Sequence, residues 1–79
     1  MDRVIGGIRL LPDYVLEVEA ARTGSVIRLH MEPFLELPRF LGLRPPEVWN
    51  SGRTDGFMVE WPGVAELSFE EIARRTFNF

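Results

Sequence analysis

The chain has 79 residues, a formal net charge of −3, no cysteine, and arginine at all nine of its basic positions. Without cysteine there is neither a disulfide staple nor a thiolate metal site, and without lysine there is no Schiff-base or P-loop lysine. No apolar run reaches the ~18 residues of a membrane-crossing helix, and overall acidity argues against the basic face with which nucleic-acid binders neutralise phosphates.

A single domain of this size buries only roughly 60% of its unfolded surface, so its stability margin is thin and a dimer interface is an expected support. The opening Met1-Asp2-Arg3-Val4 lacks the basic-then-apolar layout of a secretory signal, and the chain reads as cytoplasmic. The exclusive use of arginine is read as a reflection of genomic base composition.

Arg3 to Leu11 is the first expected strand, with Val4, Ile8 and Leu10 on one side and a bulge or close backbone approach at Gly6-Gly7. Pro12-Asp13 marks a turn. Tyr14 to Ala21 and Ser25 to Met31 both alternate apolar and polar residues on either side of Arg22-Thr23-Gly24, which predicts a hairpin. A two-residue turn at Thr23-Gly24 sets Ala20 against Ile27, Val18 against Leu29 and Leu16 against Met31. Glu19 then meets Arg28, and Glu17 meets His30, on the other face. A one-residue slip would mix acidic and apolar residues on one face, whereas a four-residue loop keeps the same parity.

From Glu32 to Pro46 the apolar residues lose their period among four prolines, which predicts a connection laid over the sheet with one short helical turn. Glu47 to Arg53 and Phe57 to Trp61 are expected to form a second hairpin around Thr54-Asp55-Gly56. Phe57, Val59 and Trp61 would then share one face. Pro62-Gly63 ends that strand, and Val64 to Leu67 is a candidate extended piece. Ser68-Phe69-Glu70-Glu71 is a capping box, with Leu67 and Ile72 placed as a hydrophobic staple. The helix should run from Phe69 to about Arg75, with Asn78 as terminator. The expected fold is α+β: a small antiparallel sheet built from two β-hairpins plus a first strand, with one short C-terminal helix, in a single domain over residues 1–79.

Chemistry-bearing patterns are few. His30 is the only histidine, and on the expected register it is a cross-strand partner of Glu17. The carboxylates form no oxygen-rich metal loop, and no phosphate-binding or nucleophile-elbow motif is present. No catalytic, cofactor-binding or metal residue is assigned, and no cofactor is expected. The candidate interaction residues are the aromatics Trp49, Phe77 and Phe79. Trp49 follows the Pro45-Pro46-Glu47 break, and the two phenylalanines near the chain end either fold back onto the sheet or meet another chain.

The run Trp61-Pro62-Gly63-Val64-Ala65-Glu66-Leu67-Ser68-Phe69-Glu70-Glu71-Ile72 resembles the Trp-Pro-x-Gly-Ala-Asp-Leu ending of the bacterial family called domain of unknown function 2442. The early pattern Pro12-Asp13-Tyr14-Val15-Leu16-Glu17-Val18, followed by a glycine turn at Gly24 and a strand, fits as well. Val64 stands where that family commonly has glycine, and Phe69 where it has proline. The resemblance implies a small α+β fold, found alone or fused to a helix-turn-helix domain, and often encoded beside another small family, domain of unknown function 4160. That pairing implies a toxin–antitoxin-like module with this type as the antitoxin half. No second helical domain follows Phe79, so the DNA-binding role of fused members is not carried over.

Three functions follow as expectations. The first is a non-enzymatic interaction module whose partner is a small protein encoded by the adjacent gene, with homodimer formation also expected and no membrane partner. The alternative is a small regulator touching nucleic acid through arginines such as Arg74 and Arg75, which the acidity disfavours. The third, an enzyme, requires a cleft that holds His30 with two carboxylates.

Overall fold

The alternating first half of the chain folds as a three-stranded meander. In the computed structural model, which describes residues 2–77, β1 (Ile5–Leu11), β2 (Val15–Ala20) and β3 (Val26–His30) form one antiparallel sheet in that order. A second antiparallel sheet follows, from β4 (Arg53–Thr54), β5 (Met58–Trp61) and β6 (Ala65–Ser68). A short helix, α1 (Pro46–Trp49), precedes β4, and α2 (Phe69–Arg74) continues directly from β6. The α+β class with antiparallel hairpins and a short C-terminal helix therefore forms, with the strands divided between two sheets.

The first hairpin keeps the expected faces and shifts its pairing by two residues. Val18 faces Ile27, Leu16 faces Leu29, Glu17 faces Arg28, and His30 faces Val15. The Ala20 amide donates to the Ser25 carbonyl (2.8 Å) and the Gly24 amide to Ala20 (2.9 Å), so the loop has four residues, 21–24. Only Gly24 takes a positive φ (73°) there. A two-residue type I′ turn would have demanded the left-handed region of Thr23 as well, which a β-branched residue resists.

Gly6 does form a bulge, and the bulge decides which side chain enters the core. Ile5 pairs with Ala20 and Gly7 with Glu19, leaving Gly6 as the extra residue of β1. Ile5 thereby joins Ile8 and Leu10 on the inner face and is 1% exposed, whereas Val4, expected there, is only half-buried. An inserted residue reverses the alternation upstream of it.

Between β1 and β2, Pro12 leads into Asp13 (φ 63°) and Tyr14 (φ 60°), two consecutive non-glycine residues in the left-handed region. Such backbone costs of order 1–3 kcal/mol per residue and persists where surrounding contacts fix it. Here the Tyr14 carbonyl accepts the Met31 amide (2.9 Å), its hydroxyl donates to the Arg44 carbonyl, and its ring meets Trp49 edge-on at 5.4 Å. Tyr14 thus leaves the strand in which its alternation had placed it.

The expected strand over Glu47–Trp49 is helical instead. Pro45 is extended (φ −62°, ψ 128°), as a residue before proline should be, and Pro46 occupies the first helical position, where its fixed φ suits and its missing N–H costs nothing. The second hairpin accordingly begins only at Arg53, which faces Glu60, while Thr54 faces Val59. Phe57 falls in the turn and is exposed. The extended piece before α2 is β6, joined to β5 by a turn in which Val64 donates to the Trp61 carbonyl (2.9 Å). Pro62 and Gly63 (φ 76°) fill the two central positions, as a type II turn requires.

The core lies between the sheets and the irregular connection. Leu16, Val18, Leu29, Met31, Leu35, Phe40, Leu43, Val59, Leu67 and Ile72 are all at most 2% exposed. The connection supplies short 3₁₀ turns at Glu32–Phe34 and Leu41–Leu43 and threads Leu35, Phe40 and Leu43 into that core. Both tryptophans are satisfied: Trp61 donates its indole N–H to the Trp49 carbonyl (2.9 Å), and Trp49 donates to Leu11 (3.2 Å). Their rings stack with centroids 5.5 Å apart.

The capping box forms as the sequence specifies. The Glu71 amide donates to Ser68 Oγ (3.1 Å), and the Ser68 amide donates to Glu71 Oε1 (3.1 Å). The helix stops at Arg75, which turns left-handed (φ 54°) while the Thr76 amide reaches back to the Glu71 carbonyl. That is a Schellman-type ending three residues before Asn78. Asn78, expected as terminator, lies outside the described residues.

Candidate interaction surface

Two of the three expected interaction residues are buried. Trp49 is 3% exposed, packed between Tyr14 and Trp61, and Phe77 is 6% exposed, with its ring against Phe34 (4.7 Å) and Phe40 (5.5 Å). Both supply core area, the usual employment of large aromatics in a small domain. Phe79 lies outside the described residues.

His30 is at the exposed end of β3, in an open surface cleft of about 600 Å³ that Asp13, Glu32, Pro33, Glu36 and Arg44 also line. The sequence placed it beside Glu17, and the two-residue shift moves it away. Arg28 takes that place, donating through Nε (3.0 Å) and Nη2 (2.5 Å) to Glu17 Oε2, with Arg9 of β1 on the other oxygen at 3.5 Å. The cleft does gather the histidine with carboxylates. Among the described residues, however, no hydrogen bond or ion pair joins His30 to any of them, so no imidazole is oriented as a base. Nor, among the described residues, does any group of three His, Asp or Glu side chains stand in an arrangement able to hold a metal ion.

The sheet edges differ more informatively. The N-terminal end of β1 is covered: the Val4 and Ile5 amides both donate to the Gly56 carbonyl (2.9 and 2.8 Å), and β4 runs alongside. Strand β4 itself has two residues, too few to template a neighbour.

At β6 a distant side chain intervenes. Arg39 donates from Nη2 to the Glu66 carbonyl (2.8 Å) and forms a two-pronged pair with Glu71, Nη1 to Oε2 at 2.6 Å and Nη2 to Oε1 at 2.8 Å. The hydrogen bonds that Arg39 donates to Glu71 raise its pKa above the ordinary value, burial opposing them. Glu71 thus joins the helix cap to the clamp on β6.

Strand β3 has no such device. At its two ends Ser25 and Met31 bond to β2, through the Ala20 amide and the Tyr14 carbonyl. Antiparallel ladder bonds recur every second residue, so Ile27 and Leu29 also point to β2. The amides and carbonyls of Val26, Arg28 and His30 therefore face away from the sheet, and among the described residues no strand lies beyond them. Val26 is 59% exposed, the most of any large apolar side chain described. The strand carries no proline, lysine or bulge, and its one arginine is already paired with Glu17. Sequence reasoning missed this edge because strand order is a tertiary fact; the readable part of the signal was Val26 at a solvent-facing position beside a polar loop.

Set against known proteins, the chain matches no family model, no curated protein and no solved structure. Among the described residues no helix is long and apolar enough to cross a membrane.

Proposed function

We propose that this chain is a non-enzymatic protein-interaction module of the cytoplasm, the antitoxin-like half of a two-gene pair, which takes a strand of another polypeptide onto the open edge of β3. The observation that supports this reading is the contrast among edges: β6 is clamped by Arg39, β1 is bonded at its N-terminal end, β4 is vestigial, and β3 offers three outward amides and three outward carbonyls. Strand addition draws affinity from such main-chain groups and specificity from alternate side chains, here Val26, Arg28 and His30. The likeness to the unknown-function family, carried by the Trp61-Pro62-Gly63 turn and the Ser68 cap, supports a neighbouring gene product as the partner.

A nucleic-acid role is less well supported. Arg9, Arg28, Arg39, Arg53 and Arg74 all pair with carboxylates, which disperses positive charge instead of concentrating it on a face.

Co-expression with the product of the adjacent gene tests the proposal. The two proteins should elute together, and hydrogen exchange at the Arg28 and His30 amides should slow in the complex. Elution as two independent species, or a complex that leaves those amides unprotected, would refute it.

A further inference from the structure

Asp55 is the one aspartate or asparagine of the chain that precedes a glycine. That pairing is reactive in any polypeptide, because a residue without Cβ lets its backbone nitrogen reach the aspartyl Cγ with little hindrance. The nitrogen–Cγ bond forms, a Cγ–oxygen bond breaks, and the amide proton leaves with the carboxyl hydroxyl as water. Water then reopens the five-membered imide at either carbonyl. One cleavage returns aspartate, and the other gives isoaspartate, in which the main chain runs through the side-chain carbons. No co-reactant is consumed, since one water leaves and one returns.

The fold needs this glycine. Gly56 has φ 99°, and a Cβ there would lie 2.7 Å from Cγ and Cδ of Arg3. Its carbonyl accepts the Val4 and Ile5 amides, which holds the end of β1 against the second sheet. The turn restrains both reacting groups. The Gly56 amide donates to Thr54 Oγ1 (3.0 Å), whose own hydroxyl is turned to the Met58 carbonyl (2.7 Å). The attacking nitrogen thus keeps its proton engaged. Oδ1 of Asp55 accepts the Phe57 and Met58 amides, which steers the carboxylate past the glycine and favours its ionised form, a poor electrophile.

We propose that Asp55–Gly56 is a backbone-modification site that Thr54 and the two following amides hold shut, and that its conversion to isoaspartate releases the end of β1 from the second sheet. Isoaspartate adds one carbon to the main chain between the Asp55 Cα and the Gly56 nitrogen. The Gly56 carbonyl then moves off the Val4 and Ile5 amides. The site is independent of any partner at β3.

The purified chain, native or unfolded in urea, is incubated at mildly acidic pH, and isoaspartate at position 55 is read by electron-based peptide fragmentation. The unfolded chain should convert at least about tenfold faster than the native one, since reaction in the fold waits on loss of these hydrogen bonds. Thr54→Val keeps the β-branched shape and should raise the native rate roughly threefold to tenfold, the effect of one hydrogen bond. Thr54→Ser should leave the rate near that of wild type. In hydrogen exchange the converted chain should lose protection at the Val4 and Ile5 amides and keep it at Leu29. Equal rates in the native and unfolded chains overturn the inference, as does a Thr54→Val rate equal to wild type or a conversion that leaves Val4 and Ile5 protected. The wild-type comparison decides the matter without either variant, should Thr54→Val fail to fold.

Discussion

Strand β6 is held by a guanidinium delivered from the irregular connection, which bonds a backbone carbonyl of the strand and the carboxylate that caps the following helix. Strand β3, of similar length, directs the backbone groups of Val26, Arg28 and His30 away from its sheet. Both edges belong to three-stranded antiparallel sheets that share one core, so neither topology nor burial accounts for the contrast. The difference is one long-range ion pair. Where a small domain uses a half-buried arginine to close one edge and leaves another bare, the bare edge is open to association.

The largest effect should come from breaking the closed edge. Glu71→Ala removes the helix cap and the partner of Arg39 together, and should cost about 2–4 kcal/mol in urea unfolding. The amides of β6 should exchange faster at the same time. A loss below about 1 kcal/mol would reduce the pair to the standing of an ordinary surface salt bridge and dissolve the contrast with β3.

A smaller effect sharpens the open side. Glu17→Gln weakens the hold of β2 on Arg28 and should cost about 0.5–1 kcal/mol, because both arginines of that group are largely exposed. The loss should be read by denaturant midpoint, with β3 amides exchanging before those of β6. Equal acceleration in both strands would count against independent edges.

The smallest concerns the turn that links β4 to β5. Asp55 accepts the Phe57 amide (2.8 Å) and the Met58 amide (3.1 Å), and these bonds hold its pKa below the ordinary carboxylate value. A depressed folded-state pKa stabilises above the unfolded pKa, and that contribution fades as pH falls through the folded one. The stability advantage of wild type over Asp55→Asn should therefore be present at neutral pH and vanish in acid. A difference independent of pH would assign the turn to geometry alone.

Much of the fold was legible in the chain itself. Alternation fixed the faces of Leu16, Val18, Ile27 and Leu29, Asp55-Gly56 marked the second turn, and Ser68 with Glu71 announced the helix start. These signals are local, with period or spacing set by backbone geometry. Parity is conserved under even displacements, so alternation does not choose between a two-residue turn and the four-residue loop that forms. Glu47-Val48-Trp49 read as strand because its composition is compatible with one, while the decisive influence was Pro46 at a helix start. The burial of Trp49 and Phe77, both candidate interaction residues, has no local signal because their contacts, with Tyr14, Trp61, Phe34 and Phe40, come from distant segments. Arg39 carried no local signal, since its partners Glu66 and Glu71 lie about thirty positions away.

The bulge at Gly6 has a meaning in terms of chain length. Seven residues of β1 do the pairing work of six, and the spare one sits where it disturbs nothing inward of it. Removing Gly6 would leave Ile5 opposite Ala20 and Gly7 opposite Glu19, now as regular neighbours. Removing Arg9 instead would turn the strand upstream of it over. The strand therefore has one position at which a single-codon deletion is absorbed, and Gly6 is where this protein can lose a residue without opposing Ile5 to a different partner.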